Sequence, residues 1–284
     1  YYALVTLQQM GDTLPCGTLA QQPRTHWRGL MLDSGRQYQQ VSTIKTLLDL
    51  MASLKMNIFH WHLTEGLGWR IDIERYPRLA TVGSRVAHGK EQQGCYSHAD
   101  IREVVAYAAA RHITVVPEID LPGHAEAALN AYPSLTCSGQ APRVPETGFT
   151  DALFCAGRDS VLLFLYDVLD EVCDLFPDAP YIHIGGDEAP VKHWASCPRC
   201  QALKRREGLV SDTAIQGWFS RKVAEMLRAK GKRMAAWNSI LGIGMDPPKD
   251  TMIACGCYAK SWDCTAKGYT LKLNAGSSGT GFFA

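Results

Sequence analysis

Carboxylates, histidines and an arginine recur in this chain just after short apolar runs, and that placement decides what chemistry they can share. The run YIHIGG (181–186) carries His183, ends on two glycines and delivers Asp187 and Glu188 side by side. MNIFHWHL (56–63) carries His60 and His62, with Glu65 just beyond, and ITVVPEID (113–120) carries Glu118 and Asp120, with His124 following. RGLMLD (28–33) ends in Asp33 and is followed by Arg36, while RMAAW (233–237) ends in Trp237 ahead of Asn238. Two carboxyl groups can handle a proton and a developing positive charge, a planar guanidinium grips hydroxyls, and aromatic faces stack on the apolar side of a pyranose. The mixture suits a sugar. An adjacent Asp-Glu pair is ordinarily just solvated, but this one follows a buried strand and a Gly-Gly turn that lets backbone approach a ligand closely.

The elements that must position these groups are legible from periodicity. Near-continuous apolar runs at 28–33, 56–63, 113–120, 181–186, 233–237, 251–255 and 269–273 alternate with helix-period segments. One such segment places Val41, Ile44, Leu47, Leu48, Met51 and Leu54 on a single face, another Ile101, Val104, Val105 and Ala108. A third, near 159–176, has a stripe from Val161 to Leu175, and a fourth spans about 212–230. Apolar strands separated by helices imply a parallel sheet covered on both faces, hence an α/β fold. Polar groups gathered after each strand favour a (β/α)8 TIM barrel over a doubly wound sheet, because a barrel builds its site from every C-terminal strand end. Only about seven strands can be counted, so the barrel is expected to be incomplete, with no eighth strand before the chain ends. Residues 1–25 are expected to be the end of a preceding module or extension, and 26–284 a barrel domain truncated at its C-terminus.

Composition narrows the class further. At 284 residues, 46% hydrophobic and 20% charged, the chain has the apolar content of a folded domain rather than a disordered one. A net charge of +1 gives no general attraction to nucleic acid or an anionic surface. No window reaches the roughly 20 apolar residues of a membrane span, and the first residues lack the pattern of a signal peptide. Ten cysteines are too few for a disulfide scaffold. Cys197 and Cys200 form a C-x-x-C pair suited to zinc, but no second pair follows at zinc-site spacing, so a loop turn or local disulfide is the preferred expectation.

Four motifs carry a resemblance. RGLMLDSGR (28–36), KMNIFHWHLTEGLGWRIDI (55–73), VVPEIDLPGHAEAAL (115–129) and HIGGDE (183–188), in that order, resemble glycoside hydrolase family 20, the β-N-acetylhexosaminidases. YYALVTLQQ at the N-terminus is similar to text that precedes the catalytic barrel in that family. The resemblance implies a (β/α)8 barrel and removal of terminal β-linked N-acetylglucosamine or N-acetylgalactosamine from glycans, with no cofactor and no metal. By this resemblance Glu188 is the general acid and base, and Asp187 orients the substrate's 2-acetamido group, which attacks the anomeric carbon. Arg36 is implied to grip hydroxyls of the terminal sugar, His124 to support the catalytic glutamate with Asp120 behind it, and Trp237 to wall the acetamido pocket. Glu65 stands where many members have aspartate in the network behind the acid. His183 is expected to pack and hydrogen-bond on its strand. The resemblance also implies work outside the cytosol, in periplasm, lysosome or medium.

Past residue 255 the match fades. ACGCYAKSW (254–262) has glycine and cysteine near the place where the family usually offers a tryptophan, with Tyr258 or Trp262 as the available substitute, and Phe282 and Phe283 stand where the family usually has tyrosine and aspartate. Two other readings therefore remain at the level of sequence. One is a metal-dependent barrel hydrolase built on His60-x-His62, whose side chains share a strand face. The other is a non-catalytic carbohydrate-binding fragment. Oligomeric state leaves no trace in the sequence.

Overall fold

A computed structural model describes every residue except 15, 88, 146–149, 256–266, 274–281 and 284. Its main sheet holds the parallel strands β1 (Gly29–Asp33), β2 (Ile58–His62), β5 (Thr114–Glu118), β6 (Tyr181–His183), β7 (Arg233–Trp237), β8 (Met252–Cys255) and β9 (Thr270–Leu273), adjacent in that order. A hairpin of β3 (Thr64–Glu65) and β4 (Gly68–Trp69) stands apart. Neighbours in space are thus successive in sequence, as in a singly wound barrel and unlike a doubly wound sheet, whose order reverses. The fold is an incomplete (β/α)8 barrel. On the free edge of β1, β10 (Phe282–Phe283) pairs antiparallel, Gly29 opposite Phe283 and Leu30 opposite Phe282. The β1 edge is occupied by these two antiparallel residues, and among the described residues no parallel eighth strand closes the barrel, as expected.

Nine α-helices accompany the sheet among the described residues. They are α1 (Tyr2–Gln9), α2 (Val41–Ser53), α3 (Arg78–Thr81), α4 (His98–Ala109), α5 (Glu126–Ala131), α6 (Asp159–Leu175), α7 (Lys192–Ser196), α8 (Pro198–Arg206) and α9 (Asp212–Ala229). Side-chain caps fix where two of the long ones begin. Ser97 accepts the Asp100 amide while Asp100 accepts the Ser97 amide, a capping box for α4, and Ser211 accepts the Ala214 amide to cap α9. The stripes buried on α2, α4 and α6 are Ile44, Leu48 and Met51; Ile101, Val104 and Ala108; and Val161, Leu165, Val168, Leu169 and Val172. Leu54, assigned to the buried face of α2, instead follows the helix and is exposed. Each fully buried aliphatic side chain contributes about 1.5–3 kcal/mol.

Strand parity then separates two environments. On β2, Phe59 and Trp61 pack into the hydrophobic core with α2 and α4, while His60 and His62 point the other way into the barrel, because successive side chains alternate. The segment between 63 and 98 contains the β3–β4 hairpin and a buried arginine. Arg70 donates to the carbonyls of Ser34, Gly35, Ser84 and Gly94 at 2.7–3.1 Å, tying the loop after β1 to the rest of the barrel mouth. The described residues among 10–28 run without helix or strand. The helix α1 rests on the barrel through Gln9, which donates to Ser53, and Lys55, which donates to Thr6. Among the described residues no helix is long and apolar enough to cross a membrane.

Candidate active site

The strand ends converge on one buried carboxylate. Glu118 lies at 2.7 Å from His60 Nε2, 2.8 Å from His62 Nδ1 and 2.9 Å from His183 Nδ1, and it accepts a 3.0 Å hydrogen bond from the Trp237 indole. Four strands thus supply one knot: His60 and His62 from β2, Glu118 from β5, His183 from β6 and Trp237 from β7. Burial alone would push the Glu118 carboxyl up, but the three histidines outweigh it and hold the group well below its usual range. Burial also opposes a charge on His62, yet Glu118 and Asp33 hold its imidazolium well above the ordinary value. Burial wins at His60, lowered to about 4 despite Glu118. Glu118 and His62 thus carry opposite charges, and His60 stays neutral.

His60 Nε2 and His62 Nδ1 each lie at hydrogen-bonding distance from Glu118, which supplies the partner that the metal-hydrolase reading of His60-x-His62 assigned to an ion. The two histidines share a strand face, as expected, and use it to hold a carboxylate. Trp237 is correspondingly anchored: its ring meets His183 edge-on with centroids 4.8 Å apart.

A second layer lies nearer the barrel mouth. Arg36 is clamped by Asp33, with Nη1 2.6 Å from Asp33 Oδ2 and the Arg36 amide donating to Asp33 Oδ1, and it approaches Glu65 at 3.4 Å. Glu65 accepts from His124 Nδ1 at 2.8 Å and lies 3.4 Å from His62. The other face of His124 looks toward the acid pair, with Nε2 3.5 Å from Glu188 Oε2 and 4.0 Å from Asp187 Oδ2. A longer carboxylate in place of aspartate thus does reach, and Glu65 links Arg36 to His124.

Backbone conformation aims the pair. The strand β6 ends at His183, three residues short of the apolar run, because Gly185 (φ 63°) and Gly186 (φ 96°) adopt left-handed conformations that break the ladder. A Cβ at Gly185 would fall 1.8 Å from Asp120 Oδ1, so only glycine lets the Asp120 carboxylate come this close. Asp120 Oδ1 accepts the Gly186 amide at 3.2 Å, and Gln216 on α9 donates to the Gly186 carbonyl at 2.7 Å. Glu188 and His124 both have φ of 49°, unusual for residues with a Cβ. Such strain costs about 1–3 kcal/mol per residue and gathers at functional sites.

The two acids have different surroundings. The Glu188 side chain is 65% exposed. Asp187 is half-buried, and its Oδ1 is buried with no hydrogen-bond donor among the described residues. Burial raises the Asp187 carboxyl, against the pull of His124. Asp120 is pushed well above its usual range by burial and then by the neighbouring Asp187 charge. Burial opposes the His124 charge, but the bond to Glu65 and the charge of Asp120 raise it to about 10.

The His124 shift predicts a pH dependence. Between 6.5 and about 10 the folded chain binds a proton at His124 that the unfolded chain has lost, so the associated stability is complete below 6.5 and fades as pH rises toward 10. The stability lead of the wild type over His124→Gln is expected to shrink across that window in urea unfolding. A lead independent of pH would contradict the assignment.

The structure brings Arg36, Glu65, Asp120, His124, Asp187 and Glu188 together at the mouth, and sets His183 and Trp237 in the layer beneath. Tyr258 and Trp262 lie outside the described residues. Sequence reasoning gave no role to Glu118, Arg70 or Gln216. Period-two alternation signals the first, since Glu118 falls on the strand face that also delivers His60, His62 and His183. The other two follow only from the fold.

Comparison with known proteins gives one consistent answer. The sequence profile described as glycosyl hydrolase family 20, catalytic domain, matches residues 26–276. A β-hexosaminidase of Porphyromonas gingivalis is 44% identical over 244 residues, which cover 84% of this chain and 31% of that protein. The crystal structure of a β-N-acetylhexosaminidase from Bacteroides fragilis is similar with a TM-score of 0.82 and 49% identity, covering 88% of this chain and 50% of that one. An exo-β-N-acetylglucosaminidase from Vibrio harveyi, solved with N-acetylglucosamine, gives a TM-score of 0.86 at 33% identity over 96% of this chain and 46% of its own. The chain spans about a third to a half of the length of the first curated relatives it matches. With the barrel order, the acid pair after its fourth strand and the profile match all pointing one way, the chain belongs to glycosyl hydrolase family 20.

Proposed function

We propose that the protein removes terminal, non-reducing β-linked N-acetylglucosamine or N-acetylgalactosamine from glycans, with retention of anomeric configuration and with the substrate's own acetamido group as nucleophile. The observation that carries this reading is the asymmetry of the acid pair. Glu188 is open to solvent at the barrel mouth, where a leaving group departs, while Asp187 turns a buried, unpartnered oxygen toward the interior. A buried acceptor without a donor costs free energy that a bound ligand can recover, and the N–H of a 2-acetamido group is a donor of the right kind. The hexosaminidase activity of the relatives and the N-acetylglucosamine bound to the Vibrio harveyi enzyme support the same substrate class.

In the proposed reaction Glu188 gives its proton to the glycosidic oxygen as the C1–O bond breaks. The acetamido carbonyl oxygen attacks C1 from the opposite face, forming an oxazolinium whose N–H is held by Asp187. The deprotonated Glu188 then takes a proton from water, the water oxygen bonds to C1, and the acetamide is restored. Arg36 binds sugar hydroxyls, fixed by Asp33 and Glu65 so that little side-chain entropy is lost on binding. Trp237, anchored on Glu118, walls the pocket, and His124 holds the acid pair in place. Action outside the cytosol, and membership of residues 1–25 in a preceding module, complete the proposal.

Paired chromogenic substrates test it. The protein should release aryl alcohol from an aryl β-N-acetylglucosaminide and not from the matching β-glucoside, which lacks the acetamide. Equal rates on both would overturn the substrate class, and a rate unchanged by Glu188→Gln would favour the non-catalytic reading.

A further inference from the structure

Away from the acid pair, four sulfurs meet. Cys137, Cys155, Cys197 and Cys200 have all their Sγ atoms within 4.8 Å of one another. Three of the separations are 3.6 Å (Cys155–Cys200), 3.8 Å (Cys155–Cys197) and 3.9 Å (Cys137–Cys200). These distances discriminate between the chemistries open to a thiol cluster. A disulfide requires about 2.05 Å, and all four cysteines are free thiols, so the local disulfide expected at the C-x-x-C pair is not formed. A tetrahedral ion with thiolates at about 2.3 Å places its ligands roughly 3.8 Å apart along each edge. The cluster has that size. We infer that Cys137, Cys155, Cys197 and Cys200 form a structural zinc site that joins the two loops carrying the catalytic acids and their supporting histidine.

The backbone around the sulfurs is built for the purpose. Cys197 is the N-cap of α8 and Cys200 lies in its first turn, where helix amides favour negative charge. Gly157 packs so tightly on this turn that a Cβ would fall 2.4 Å from the Arg199 carbonyl carbon and 2.5 Å from the Cys200 amide nitrogen. Three of the cysteines are buried and Cys137 is half-buried, which leaves no open coordination position of the catalytic kind. An all-thiolate tetrahedral set selects zinc or iron, and an iron–sulfur cluster would spread the four sulfurs around a larger core.

The placement explains what the ion would do. Cys137 and Cys155 lie in the long connection from β5 to α6, which also carries Asp120 and His124. Cys197 and Cys200 lie in the connection from β6 to α9, which also carries Asp187 and Glu188. Long loops cost entropy to order. One ion holding both would fix His124 against the acid pair without taking part in the reaction. Binding requires four thiolates, so zinc entry displaces four protons, and the complex carries a net charge of −2.

Elemental analysis of the purified protein tests this independently of any glycosidase activity. One zinc ion per chain is expected, released when the protein is denatured with a chelator. Replacing that zinc by cobalt should give the visible bands of tetrahedral cobalt thiolate. Cys155→Ser should lose the zinc and melt at a lower temperature, while the exposed Cys16→Ser should keep both. If Cys155→Ser fails to fold, the metal content of the wild type still decides. Substoichiometric metal, iron in place of zinc, or two disulfides within this set by peptide mass spectrometry would each overturn the assignment.

Discussion

Glu188→Gln is expected to lower kcat on an alkyl β-N-acetylglucosaminide about a thousandfold, the middle of the range for a positioned general acid. An alkoxide is a poor leaving group and needs the proton that glutamine cannot supply. An aryl glycoside with an acidic phenol needs it less, so the loss there should be smaller and should reflect mainly the later water attack. The substitution keeps the side-chain shape, and the group is 65% exposed, so folding should be unaffected. Steady-state kinetics on the two leaving groups checks this. Equal losses on both would mean that Glu188 does not protonate the leaving oxygen.

Asp187→Asn is expected to cost a factor of about 100 to 1,000 in kcat, comparable to removing one preorganised group that meets transition-state charge. Asparagine can still sit in the half-buried position, but it removes the negative charge facing the oxazolinium. It can also present an N–H where an acceptor is required. Because the charge develops as the ring closes, the loss should fall on kcat more than on KM. A variant with raised KM and unchanged kcat would show that Asp187 only binds the ground state.

Much of the fold was legible because a parallel barrel buries its strands on both faces. Runs such as Val115–Val116 and Ile182–Ile184 read as strands for that reason, and all seven were placed. The details that escaped are those set by tertiary context. Nothing local in TEGLGW announces a separate hairpin, and Arg70 looks like a surface residue until four carbonyls are seen around it. The end of β6 at His183 depends on glycine torsions that an apolar run conceals.

The site divides the same way. Asp187, Glu188, Arg36 and His124 stand in local motifs, and their grouping follows from strand-end placement. Glu118 was visible at its strand end but had no role, because one carboxylate inside an apolar strand gains meaning only when three other strands bring histidines and an indole to it. The four cysteines are the extreme case. Cys155 stands 42 residues before Cys197, and Cys137 stands 63 before Cys200, separations that match no short zinc spacing. Only the adjacency of β5 and β6 brings them together.

The central claim, that Asp187 and Glu188 use the substrate's acetamide as nucleophile, is tested most directly by fluorinating that group. Across aryl glucosaminides bearing acetyl, fluoroacetyl, difluoroacetyl and trifluoroacetyl groups, the carbonyl oxygen becomes a steadily weaker nucleophile while the leaving group stays the same. The account predicts that kcat/KM falls steeply and monotonically along the series. A rate indifferent to fluorination would contradict it and place the nucleophile on the protein.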